Sequence, residues 1–63
     1  MIVTPKLNQI LKDRTQMQLS QMTGVPQGSI SRFDKNSRHE DAHLFAIARA
    51  LGITIEELFN VEE

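Results

Sequence analysis

Cysteine is absent from this 63-residue chain. Disulfides, thiolate-held zinc and a cysteine nucleophile are therefore excluded. Aromatic residues are scarce as well, three phenylalanines being the whole supply. No stretch sustains the period-two alternation of a half-buried strand, so the sequence predicts no strands. No apolar run approaches the roughly 18 residues that a membrane span needs. The opening Met-Ile-Val-Thr-Pro-Lys has no apolar core of the kind a signal peptide carries. Linkers, repeats and low-complexity tracts are missing too. The expectation is one cytoplasmic domain over 1–63, with no membrane contact. A chain this short buries only about 60% of the surface that its unfolded form exposes. Lacking disulfides, it is expected to draw support from a second subunit.

Positive charge is nearly missing from the C-terminal part. Residues 39–63 hold one cation, Arg49, against six carboxylates: Glu40, Asp41, Glu56, Glu57, Glu62 and Glu63. Residues 1–38 hold six cations (Lys6, Lys12, Arg14, Arg32, Lys35, Arg38) against Asp13 and Asp34. The overall charge of −1 thus conceals +4 in the first part and −5 in the second. A polyanion would meet the first part and avoid the second.

Helical signals occupy most of the chain. Thr4 is suited to cap a first helix with Pro5 at its first position, and Leu7, Ile10 and Leu11 give it a buried stripe. This helix is expected to end near Arg14. Thr15 and Gln18 form a capping box for a second helix, with Leu19 and Met22 turned inward and Ser20 small enough for a crossing helix. Gly24 suits its left-handed end, and Val25 is expected to fold back on the core. Pro26 introduces a third helix, Gln27 to Lys35, with Ile30 and Phe33 inward and Asn36 as a left-handed stop. A fourth helix runs from Glu40 or Asp41 to Leu51, with Leu44, Ile47, Ala48 and Leu51 inward and Gly52 at its end. Thr54 and Glu57 make a second capping box, with Ile53 and Leu58 as a hydrophobic staple, so a fifth helix is expected there.

His39-Glu40-Asp41-Ala42-His43 matches the H-E-x-x-H pattern of zinc peptidases. The match fails on context. His39 falls at or before the start of the fourth helix and need not share a face with His43. No third histidine exists, and the chain leaves little room for a substrate cleft. Glu40 and Asp41 are better explained as carboxylates that offset a helix N-terminus. No glycine-rich phosphate loop or facing carboxylate pair is present either. The sequence reads as a non-enzyme with no metal and no cofactor.

The second and third helices meet at a tight glycine turn, which is a helix-turn-helix. The face of the third helix opposite Ile30 and Phe33 carries Gln27, Gly28, Ser31, Arg32 and Lys35. Gln and Arg are the side chains that pair bidentately with adenine and guanine edges. Gln16 opens the second helix, where its side chain and nearby N–H groups can meet a phosphate.

The segment TQMQLSQMTGVPQGSISRFDKN (15–36) resembles the helix-turn-helix of the Cro/C1, or Xre, family, which comprises lambdoid phage repressors and their bacterial relatives. LFAIARALGITIEELF (44–59) resembles the fourth and fifth helices of that family. The resemblance implies an all-α, compact five-helix, lambda-repressor-like domain that binds double-stranded DNA as a dimer and regulates transcription. It implies that Gln27 reads a base, that Gly28 and Arg32 face bases, that Gln16 meets a phosphate, and that Lys35 and Arg38 touch the backbone. Ser31 lies on the same face, either against DNA or as a local cap. Four departures stand out: Arg14 just before Thr15 in a shortened corner, Ser20 in place of the common alanine, Pro26 in place of a Ser or Thr cap, and Gly28 without a side chain. The expected function is sequence-specific repression by a homodimer joined through Ile53, Phe59 and Val61. The competing expectation is a protein-interaction module on the same fold, such as an antitoxin, with a toxin or anti-repressor held at the acidic end.

Overall fold

Leu7, Leu11, Leu19, Val25, Ile30, Phe33, Ile47, Ala48 and Leu58 are buried together in one cluster. The computed structural model describes residues 1–63 and shows which elements supply them. In chain order these are β1 (Ile2–Pro5), α1 (Leu7–Leu11), α2 (Gln16–Thr23), α3 (Gln27–Ser31), a 3₁₀ turn (Phe33–Lys35), α4 (Asp41–Leu51), a second 3₁₀ turn (Glu56–Leu58) and β2 (Phe59–Glu62). Each helix and each 3₁₀ turn contributes at least one buried side chain. No polar side chain is buried.

The helices begin and end where local chemistry dictates. At the start of α2, Thr15 Oγ1 accepts from Gln18 N–H at 3.0 Å, and Gln18 Oε1 accepts from Thr15 N–H at 2.9 Å. This is the reciprocal capping box read from the sequence. Gly24 closes the helix at φ +77°. At the end of α4, Ile53 N–H donates to Ala48 O (3.0 Å) and Gly52 N–H to Arg49 O (3.2 Å). With Gly52 at φ +71°, this is a Schellman closure.

The chain ends depart from the all-α, five-helix expectation. Thr4 and Pro5 do not open a helix. They lie in β1, which pairs antiparallel with β2 through Ile2↔Glu62, Val3↔Val61, Thr4↔Asn60 and Pro5↔Phe59. Thr54 and Glu57 do make their box, with Thr54 N–H and Oγ1 both donating to Glu57 Oε1 at 3.1 and 3.0 Å. The box starts only a single 3₁₀ turn, because the chain leaves it at Phe59 to pair with β1. A helix continued through Phe59–Glu62 would forfeit that ladder. The fold is thus a helical domain with four α-helices and a two-stranded ribbon.

The first helix is shorter than expected and ends at Leu11 rather than near Arg14. Lys12 has φ +54° and ψ −112°, and Arg14 N–H donates to Leu11 O at 3.0 Å. That is the geometry a type II′ turn gives its first central residue, a position suited to glycine. Lys12 is the one non-glycine residue with positive φ.

Two further expectations fail. Met22 does not point inward but is 53% exposed, because Gln16, Ser20 and Thr23 flank Leu19 on the inner face of α2 and leave Met22 to one side. Asn36 is not left-handed: its φ of −92° and ψ of 141° are extended. It follows a 3₁₀ turn whose Asn36 N–H already donates to Arg32 O at 3.1 Å.

Candidate nucleic-acid interface

The turn between α2 and α3 is held by side chains as well as by Gly24. Ser20 Oγ donates to Val25 O at 2.6 Å. Thr23 Oγ1 donates to Leu19 O at 2.7 Å and accepts from Val25 N–H at 3.1 Å. Ser20 is therefore a bracket across the turn rather than a mere small residue at a crossing. Val25 is buried below it.

The expected third helix, Gln27 to Lys35, is a composite. It is α-helical over Gln27–Ser31, passes through Arg32 (φ −96°, ψ 2°), and finishes as the 3₁₀ turn Phe33–Lys35. Ile30 and Phe33 anchor it in the core. Gln27, Gly28, Ser31, Arg32 and Lys35 are all exposed. Pro26, at the N-cap, offers no side-chain hydrogen bond, but its carbonyl accepts from Ser29 and Ile30 N–H at 3.0 and 3.2 Å. Arg38 is exposed in the loop that follows.

At Gly28, a Cβ would lie 3.4 Å from both terminal nitrogens of the Arg32 guanidinium and 3.7 Å from its central carbon. The Arg32 side chain thus folds back over the bare backbone one turn earlier. Gln16 is half-buried, and its Nε2 donates to Asn8 Oδ1 at 3.2 Å. The first helix therefore orients the side chain that opens the second.

Sequence reasoning missed Asp34. Its two carboxylate oxygens accept from the Leu7 and Asn8 N–H groups at 2.7 and 3.0 Å. They satisfy donors at the start of α1, where Lys6 provides no side-chain cap. Asp34 thus fastens the end of the composite segment to α1, and through Asn8 to Gln16. It also missed His39 as a packing residue. The ring stacks on Phe33 with centroids 4.0 Å apart, and Nε2 is 2.7 Å from Phe33 O. A carbonyl oxygen only accepts, so Nε2 carries the proton in this bond.

The two histidines of the H-E-x-x-H match serve separate local contacts. His39 precedes α4, and His43 Nε2 lies 3.1 Å from Glu40 Oε2. No group of three or more His, Asp or Glu side chains is placed to hold a metal ion. No helix is long and apolar enough to cross a membrane.

The profile of the Cro/C1-type HTH DNA-binding domain matches residues 6–63. No curated protein sequence matches the chain, and no solved structure does. With the profile covering nearly the whole chain, and with a bracketed turn followed by a segment polar on one side and buried on the other, the chain belongs to the Cro/C1-type helix-turn-helix family of DNA-binding domains.

Proposed function

We propose that this domain is a sequence-specific repressor that binds double-stranded DNA as a homodimer in the bacterial cytoplasm. The observation that carries this reading is the two-sidedness of residues 27–35. Ile30 and Phe33 are locked in the core, while Gln27, Ser31, Arg32 and Lys35 stand in solvent on the segment that follows the turn. Laid in a major groove, that segment presents Gln27 to an adenine edge and Arg32 to a guanine edge. Gln16, held by Asn8, meets a phosphate near the start of α2. Lys35 and Arg38 neutralise phosphates farther along. The mechanism needs no metal, no cofactor and no catalytic step.

The ribbon supports the dimer. Val3 and Val61 are paired across it and are 52% and 39% exposed, and Ile2 is 61% exposed. Ile53 and Phe59, also expected at the interface, are half-buried against the core. An isolated two-stranded ribbon is marginal in water, and a second copy would cover its apolar side chains. The same exposed residues favour one alternative, a protein partner such as a toxin or an anti-repressor seated on the ribbon.

Gel shifts against genomic fragments separate the two readings. A repressor gives a discrete complex on a few fragments that survives excess non-specific competitor. Loss of every complex at modest competitor, together with stable capture of a single protein partner, would overturn the DNA-reading proposal.

A further inference from the structure

Arg14 and Glu56 are exposed charges without a partner in the chain. The one pairing of an acidic with a basic side chain joins Glu40 to His43. Arg14 and Glu56 lie at the two ends of one trough. Its first hollow, of about 480 Å³, is lined by Ile10, Leu51 and Ile53 together with Lys12, Asp13 and Arg14. Its second is lined by Glu56, Phe59 and Val61. Lys6 and Glu57 line both hollows and so join them. The charges of that shared pair cancel. Beyond it, Lys12 and Arg14 outweigh Asp13 at one end, and Glu56 makes the other end negative. Apolar surface runs between the ends, because Ile10, Leu51, Ile53 and Phe59 are only half-buried and Val61 is exposed. None of the residues proposed to meet DNA, Gln16 and those from Gln27 to Arg38, lines either hollow.

We infer that this trough is the face on which a second copy of the chain docks, the Arg14 end of each copy lying over the Glu56 end of the other. A two-fold interface must be complementary to itself. A two-fold axis running along the trough would set Arg14 against Arg14 and Glu56 against Glu56. An axis crossing it near Lys6 and Glu57 sets each charge against its opposite, twice over. Exposed ion pairs contribute little affinity, so here they select the register. Covering the apolar surface between them holds the copies together. This names the face of the proposed homodimer and rests on that reading, and the test keeps the two apart.

The experiment is a charge swap, read by sedimentation of the full chain without DNA at low salt. Arg14→Glu makes both ends of the trough acidic, and Glu56→Lys makes both ends basic. Each variant alone is expected to dimerise about tenfold more weakly or worse, since attraction becomes repulsion at two symmetric contacts. An equimolar mixture of the two is expected to recover the unmodified affinity as a heterodimer, because both of its contacts are again opposite in sign. The doubly substituted chain should recover it as a homodimer. Arg49→Glu makes the same change of net charge outside the trough and is expected to leave dimerisation as it was. Thermal melting checks folding. If a reversal melts early, Arg14→Gln and Glu56→Gln carry the test, each expected to weaken the dimer by about threefold. Substitutions that leave the dimer as tight as before, or a mixture of the reversals no tighter than its components, would overturn the inference and leave the homodimer standing. The inference also falls alone if the free protein is monomeric yet pairs on a selected DNA site, since DNA would then hold the copies together. A protein that stays monomeric both free and on that site would overturn the homodimer and the inference with it.

Discussion

Asp34 shows how much one residue can carry in so small a domain. Its carboxylate takes the N–H groups of Leu7 and Asn8, and α1 has no side-chain cap of its own. A hydrogen bond to a charged group is worth about 1.5–3 kcal/mol, but the Asn8 bond is exposed and water replaces it on mutation, so mainly the part-buried Leu7 bond counts. Asp34→Ala is therefore expected to lower stability by about 2 kcal/mol in urea unfolding, and Asp34→Asn by less, since one acceptor oxygen remains. A loss below about 0.5 kcal/mol, the level of an ordinary surface change, would mean that the clamp is not formed in solution. Nothing near Asp34 in the sequence signals this role. Its partners lie 26 and 27 residues away, and an acid beside a lysine reads locally as a solvated charge.

Most features set by neighbours in sequence were legible, the inward Met22 and the left-handed Asn36 excepted, and those defined by distant neighbours were not. The Thr15–Gln18 box, the Gly24 and Gly52 ends and the inward Ile30 and Phe33 all depend on residues within one or two turns, and all are present. The exposed face of residues 27–35 was legible for the same reason. β1 and β2 lie at opposite ends of the chain, and each is four residues long, too short to show a period. Thr4-Pro5 satisfies the local rule for a helix start, yet Ile2-Val3-Thr4 is equally a run of β-branched residues. Pairing across the ribbon decided between them.

The corner after α1 has a local cause that was only half legible. Its shortness before Thr15 was visible, but the backbone consequence at Lys12 was not. Lys12→Gly is expected to relieve a strained conformation of the kind that costs about 1–3 kcal/mol, offset in part by added freedom in the unfolded chain. The net gain should be about 1 kcal/mol, raising the melting temperature by roughly 4–8 °C for a domain near this size. A lower melting temperature would contradict the turn assignment. The second box carries a pH signature. Glu57 is held below its ordinary value of 4.5, first by the Thr54 N–H and then by the Thr54 hydroxyl, with a smaller push from Lys6 and with desolvation opposing. A depressed folded-state value stabilises the fold fully above pH 4.5, and that contribution is lost as pH falls through the lower folded value. A carboxyl titration followed by NMR should place the Glu57 midpoint below 4.5 and Thr54→Val should move it upward. A midpoint at or above the ordinary value would mean that the box is open.

At the scale of the whole molecule, the proposed reading has a basic N-terminal part meet phosphates, residues 27–35 face bases and the ribbon join two copies. Bound to DNA, the two recognition segments should lie about 34 Å apart, one duplex turn, and sedimentation on an operator fragment should find two chains per site. One chain per site would remove the dimer. Lys35→Ala combined with Arg38→Ala should weaken all sequences about equally and flatten the slope of log affinity against log salt by roughly 4 in the dimer, at about 0.9 for each phosphate no longer neutralised. An unchanged slope would show that neither residue meets a phosphate. The central claim, that residues 27–35 read DNA sequence, is tested most directly by selecting sites from a random DNA pool with the unmodified protein and with Gln27→Ala. Gln27 is exposed, so the variant should melt as the unmodified protein does. The unmodified protein should enrich a two-fold symmetric site. The variant should enrich the same site with one position per half-site relaxed and with specific affinity weaker by about 1–3 kcal/mol per half-site, its non-specific binding unchanged. Selection of no common site by the unmodified protein, or an identical site with undiminished affinity for the variant, would contradict it.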